Sequence, residues 1–344
     1  MKAIVQTGPE AVTLQDLKIP TPGPDEVLIE VHSAGLCGSD AHAYRYEEGY
    51  KWIPIPRIMG HEYSGTVADV GTDVEEFEPG DRVIEAPIHH CGRCVHCKSG
   101  RENVCENFSI TGMHRDGAYA EYVTVDERYL HRIPDGVSLT DAAITEPTSV
   151  AARAVSERST VGPGDAVLVE GPGPIGVLVA VIADATGADV LVSGLGKDGH
   201  YRLPLLADLG IETIDVDEGE LDGRTDTFTD GVGFDVVFDT TGHASGLETA
   251  IEGVRKGGEI VVVGLPGQPS EVFMTPVVRR EVTIDTSYGS LWSDFDRALS
   301  LLESGRVVAS SIIDTSYDLT EPERAFESFL ASETCKPVFD FASL

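Results

Sequence analysis

Between residues 165 and 288 the chain repeats one pattern: a short apolar run, a polar or glycine-bearing turn, then residues at helical spacing. DAVLVEG (165–171) is the first run, and VLVAVIADATGA (177–188) follows it with a 3.6-residue period. Further runs are DVLVSG (189–194), TIDV (213–216), FDVVFDTTG (234–242), EIVVVG (259–264) and VTIDTSY (282–288). Helical stretches such as HASGLETAIEGVR separate several of them. Six strands in βα alternation predict an α/β region built on a doubly wound parallel sheet of the Rossmann type.

The turn after the first strand reads GPGPIG, a G-x-G-x-x-G with Gly171, Gly173 and Gly176 enclosing Pro174 and Ile175. The first glycine makes the turn, the second admits a pyrophosphate to the backbone, and the third packs helix on strand. Strand before and helix after give the motif the context it needs. A dinucleotide is expected across the carboxyl ends of strands one and four, near Thr241 and Gly242. The second strand separates NAD from NADP, because NAD-binders end it with a carboxylate for the ribose 2′-hydroxyl. Here Ser193 and Gly194 stand there, followed by Lys197, His200 and Arg202, cations that suit a 2′-phosphate. NADP is the favoured cofactor. In the NAD alternative, Asp198 is a displaced ribose ligand.

Four of the six cysteines fall in CGRCVHCKSGRENVC, as Cys91, Cys94, Cys97 and Cys105. Four thiolates at this spacing can enclose one tetrahedral zinc, a closed shell with a structural role, or an iron–sulfur cluster.

The formal charge is -33, from 58 acidic against 25 basic residues spread along the chain. That excludes a basic footprint for nucleic acid or an anionic membrane. A dispersed acidic surface poor in lysine reads as adaptation to high salt. No apolar run is long enough to cross a bilayer and the first residues do not form a signal peptide, so a cytoplasmic protein is expected.

CGRCVHCKSGRENVC followed by ITGMHRDGAYAEYV resembles the structural-zinc lobe of medium-chain zinc-dependent alcohol dehydrogenases. CGSD at Cys37, GHE at His61 and Glu62, and the EP dipeptide at Glu146 occur in that family's order. The resemblance implies a β-rich GroES-like catalytic domain over 1–148, a Rossmann domain over 149–286, and a return to the catalytic domain over 287–344. It implies zinc twice per chain: one catalytic, held by Cys37, His61 and Glu62 with Glu146 as ligand or water-holder, and one structural, at the cysteine cluster. Ser39 and His42 match the family's proton relay, and Gly264, Leu265 and Pro266 match its nicotinamide contacts.

Simple alcohol dehydrogenases commonly carry cysteine where Glu146 stands; the carboxylate resembles the polyol, sugar (sorbitol) and threonine dehydrogenase branch. The expected function is hydride transfer from a polyol or sugar to NAD(P), in a homo-dimer or homo-tetramer. L-threonine 3-dehydrogenase is the alternative, and a non-catalytic nucleotide-binding relative the second alternative. Tyr44, Trp52, Arg280, Glu281 and Tyr288 are candidate substrate contacts. His89, His90 and His131 read as loop or surface residues.

Overall fold

The computed structural model describes residues 1–219 and 221–341 and divides them into two compact units. The first comprises residues 1–149, 289–330 and 336 onward; the second comprises 150–288 with 331–335. Sequence reading assigns 331–335 to the return segment, but the structure packs it with the second unit. There the Thr334 carbonyl accepts a hydrogen bond from Arg202 Nε at 2.9 Å.

In the first unit a seven-stranded sheet is centred on Glu26–Gly35, which pairs antiparallel with Glu62–Val70 along one edge. The other edge is shared by Tyr122–Asp126 and Lys336–Asp340. Register sets Gly35 opposite Glu62 on one side and Val338 on the other. A Cβ on Gly35 would lie 2.6 Å from Glu62 Oε2, so only glycine leaves room for that carboxylate in the sheet. Alternate residues such as Val27, Ile29 and Val31 point into a core shared with Tyr119, Phe326 and Phe339.

The second unit holds six parallel strands in the order Glu212–Asp215, Asp189–Gly194, Ala166–Glu170, Phe234–Asp239, Val254–Val262 and Thr283–Thr286. This is the doubly wound order, with the reversal between Ala166–Glu170 and Phe234–Asp239. The middles of the central strands are apolar because both faces are covered: Leu168, Leu191, Val237 and Ile260 are fully buried. Helix Pro174–Asp184 opens at the glycine motif with Gly173 as N-cap and Pro174 in its first turn. Among the described residues no helix is long and apolar enough to cross a membrane.

Candidate active site and nucleotide cavity

The cysteine cluster folds around itself. Cys94 caps the short helix Val95–Lys98, its sulfur accepting from the Cys97 backbone N–H at 3.5 Å. Sγ–Sγ distances are 3.4 Å for Cys94–Cys97, 3.9 Å for Cys94–Cys105 and 4.0 Å for Cys91–Cys97. A tetrahedron of sulfurs about 2.3 Å from a zinc has edges of about 3.8 Å, so the four sulfurs already have the spacing of that shell. Backbone N–H groups of Cys91 and Asn107 donate to Cys105 Sγ at 3.3 Å each and fix its place in the cluster.

The second group forms where strand Glu26–Gly35 turns into helix Gly38–Tyr44. Cys37 sits at that helix's N-cap, and Glu62 begins the neighbouring strand with His61 just before it. The donor atoms of Cys37, His61 and Glu62 lie within 4.8 Å of one another. His61 Nδ1 is buried without a hydrogen-bond partner, 3.6 Å from Asp40 Oδ1. A mixed sulfur, nitrogen and oxygen set with an orphaned imidazole atom fits a zinc with an open side.

Two residues outside the predicted site hold this group in place. Asp40 is 1% exposed; its Oδ2 accepts from the Tyr119 hydroxyl at 2.7 Å and from the Cys37 N–H at 3.2 Å. Burial raises its pKa, against the pull of the His61 charge. Lys336, also 1% exposed, donates to both Glu62 oxygens at 2.7 and 2.9 Å and to the Leu36 carbonyl at 3.0 Å. Burial pulls the Lys336 pKa down, but Glu62 and Cys37 outweigh it, and the ammonium persists. Asp40 lies inside the CGSD motif, where an acid three residues after the metal thiol was the available signal. Lys336 had no local signal at all.

Glu146 stands outside the tight three-residue group, in the first turn of Thr145–Glu157. The helix starts two residues before Pro147, so Glu146 belongs to it and does not precede it. Burial pushes its carboxyl up to about 7, with Glu62 and Asp40 adding to the shift and His61 and Lys336 opposing it. Glu146 also lines a cavity of about 450 Å³ with His90, Glu102, Asn103, Arg128, Ser290, Ser293 and Trp292. Ser39 and His42 lie three residues apart on Gly38–Tyr44 and so share one face. Ser39 Oγ is buried without a partner, whereas the His42 ring is exposed, bonded to Glu47 at 2.8 Å and stacked on Tyr50.

The remaining histidines correct the sequence reading. His89 is 8% exposed, its Nε2 2.7 Å from the buried Glu85 and its ring stacked on Tyr129. His131 is 3% exposed and stacks on Trp292 at 3.6 Å. His90 lines the 450 Å³ cavity. His89 and His131 sit inside because aromatic faces bury their rings while Glu85 and Asp296 each meet one ring nitrogen; His90 is half-buried, edge-on to Tyr129. Of the expected substrate contacts, Tyr44 is a core residue stacked on Phe326, and Trp52 packs on His114. Arg280 donates to the carbonyls of Ile251 and Val254, and none of the five, Glu281 and Tyr288 included, lines that cavity.

In the second unit a cavity of about 720 Å³ opens at the carboxyl ends of the central strands. Gly171, Gly173, Ser193, Gly194, Lys197, Arg202 and Thr241 line it. Pro174, Ile175 and Gly176 form the adjoining helix start, and Gly264, Leu265 and Pro266 follow strand Val254–Val262 without lining it. Arg202 is only 8% exposed and is committed to Thr334 O and, at 3.6 Å, to Asp198, so Lys197 is the exposed cation of this wall.

Residues 23–135 match the alcohol dehydrogenase GroES-like domain, and residues 174–304 match the zinc-binding dehydrogenase domain. A sorbitol dehydrogenase of Halalkalibacterium halodurans is 36% identical over 98% of this chain and 98% of its own length. The chain belongs to the zinc-dependent medium-chain dehydrogenases. An L-threonine 3-dehydrogenase of Alteromonas mediterranea is 32% identical over 99% of this chain and 100% of its own. A zinc-binding dehydrogenase of Sinorhizobium meliloti, crystallised with NADP, superposes with a TM-score of 0.90 at 28% identity, over 98% of both chains. For a medium-chain dehydrogenase, the glycine motif, the paired cysteine and histidine groups and the two-unit organisation are the expected parts. The buried Lys336–Glu62 pair and the carboxylate at position 146 are the features of this chain that local motifs explain least.

Proposed function

We propose that this protein is an NADP-dependent zinc dehydrogenase acting on a secondary alcohol of a polyol or on a sugar. The observation that carries the reading is Glu146, electrostatically linked to His61 and Glu62 and at the same time part of a cavity wall rich in hydrogen-bonding groups. A substrate with several hydroxyls satisfies such a wall, where an apolar alcohol would leave it unpaired. Arg128, the guanidinium in that wall, is already paired with Asp126 at 2.8 Å, which weighs against the carboxylate of threonine.

Cys37, His61 and Glu62 would hold the zinc, with Glu146 beside them on the open side. When bound, zinc supplies Lewis acidity toward the substrate hydroxyl and the dinucleotide supplies the hydride acceptor. Lys336 holds Glu62 in place through both carboxyl oxygens, and Asp40 orients the His61 ring. Ser39 accepts the hydroxyl proton in the dry interior as it gives up its own, and His42, one helical turn on, passes that proton to solvent. In the second unit, Lys197 beside Gly194 supports NADP, because no carboxylate ends that strand.

The charge of -33 and the six free thiols support the cytoplasm of a salt-loving cell. Phe273, Met274 and Val278 are exposed beside the open edge strand Thr283–Thr286, and that apolar edge supports a homo-dimer or homo-tetramer. The test is an initial-rate matrix of sorbitol, xylose, glucose, butanediol and threonine, each with NAD and NADP, in concentrated KCl. Turnover of a polyol or sugar with NADP is expected. Turnover of threonine alone transfers the protein to the threonine branch, and a preference for NAD overturns the cofactor assignment.

A further inference from the structure

Glu170 ends the first strand of the parallel sheet, directly before the glycine motif, and lines the 720 Å³ cavity. It is 2% exposed, and neither of its carboxyl oxygens has a hydrogen-bond partner. In register beside it stand Ser193 on one side and Asp239 on the other. Asp239 is buried too, but its Oδ1 accepts from the Thr241 N–H at 3.0 Å and the Thr241 hydroxyl at 2.7 Å. Burial raises the pKa of Asp239 as well, but the two Thr241 donors pull it back, and Glu170 has no such donors. Burial, reinforced by Asp239, pushes Glu170 up to about 9.

An ionised Glu170 would also face the wrong ligand. Helix Pro174–Asp184 directs its positive end at this cavity, the place where a pyrophosphate settles. A second anion there would repel it, and a buried carboxylate without donors is strongly disfavoured against its neutral form. A neutral carboxylic acid has an O–H to give and, among the described residues, no hydrogen-bond partner for it.

We propose that Glu170 is held as a neutral acid and donates its O–H to an oxygen of the ribose–diphosphate of the bound dinucleotide, so that cofactor binding requires this proton. The inference rests on the dinucleotide reading of the cavity. Asp239 lies beside Glu170, and Lys197, Asp198, Arg202, Asp222 and His243 are the other titratable groups of the wall. All of them remain in Glu170→Gln, which keeps an N–H donor and loses only the ionisation.

The experiment titrates the purified protein and Glu170→Gln with NADPH by fluorescence between pH 7 and 10, without substrate. The native protein is expected to bind evenly at low pH and then to weaken, approaching about tenfold per pH unit above the Glu170 ionisation. The variant is expected to match it at pH 7 and to lack that loss. Identical pH profiles overturn the proposal, as does a variant that binds tenfold more weakly at pH 7. Failure of both proteins to bind NADPH or NADH at any pH instead overturns the dinucleotide reading, and the proposal with it. Infrared spectroscopy of the unliganded native protein gives a second readout that needs no variant to fold. A protonated-acid C=O stretch that fades as the pH passes about 9 supports the assignment, and its absence at pH 7 overturns it.

Discussion

Lys336 and Glu62 are 274 positions apart, yet the Lys336 ammonium lies 2.7 and 2.9 Å from the two Glu62 oxygens, both side chains being 1% exposed. The sheet makes the contact: Glu26–Gly35 runs between their strands, and Gly35 leaves the gap through which the side chains meet. A chain with so few lysines buries one here, in contact with a carboxylate of the candidate metal group. Lys336→Met removes the cation at nearly constant volume and leaves the buried Glu62 without its ammonium partner in the metal-free protein. Urea unfolding is expected to show a loss of about 3–5 kcal/mol, and adding Glu62→Gln should recover much of it. A Lys336→Met protein as stable as the parent would refute the pairing.

Glu85 is 2% exposed and accepts from His89 Nε2 at 2.7 Å, Thr111 Oγ1 at 2.6 Å and the Tyr63 hydroxyl at 2.9 Å. Burial raises its pKa, but these donors win and hold it below the ordinary 4.5. The folded value is depressed, so the ionised group adds stability above the unfolded value and loses it as pH falls through the folded one. Glu85→Gln should cost about 2 kcal/mol near pH 7. The gap between the two proteins should narrow as the pH is lowered below 4.5. A gap that stays constant into acid would contradict this account.

Gly176 packs the first helix on its strand so tightly that a Cβ would lie 1.9 Å from the Gly171 carbonyl and 2.7 Å from Thr240 Oγ1. Gly176→Ala must displace the phosphate turn. Its dinucleotide affinity is expected to fall by at least about tenfold while metal content is unchanged. Equal NADPH affinity in a calorimetric titration would remove the glycine motif from the cofactor site.

The two metal groups should separate by variant. Cys94→Ser breaks the closed sulfur shell, so metal analysis should find one of the two zinc ions lost and thermal unfolding should shift downward. Cys37→Ser should also lose a zinc, but its larger effect should be on turnover, because Glu146, which lines the 450 Å³ cavity, interacts with that group. Matching effects of the two variants on turnover and on melting would deny the division of labour.

Much of the nucleotide half was legible because its signals are local. Buried parallel strands are continuous apolar runs, and GPGPIG needs glycine for backbone reasons that hold wherever it folds. The cysteine cluster was legible for the same reason: its four sulfurs span a short loop, and their spacing limits what can join them. The candidate metal group with one open side was harder, since Cys37, His61 and Glu146 share no local pattern and only their familiar order connected them. His89 and His131 were misread because polarity in sequence says nothing about a partner, and each finds an aromatic face and a carboxylate only after folding.

The sequence by itself determined the repeating βα half, the short loop where four cysteines gather and the sign of the molecule's charge, properties that need no distant contact. The tertiary structure alone decided that Lys336 meets Glu62, that Asp40 stands behind His61, and that Glu170 ends its strand with no partner. Those are consequences of register and burial. A buried charge or acid is defined by what distant strands bring to it, and no window along the chain contains that information.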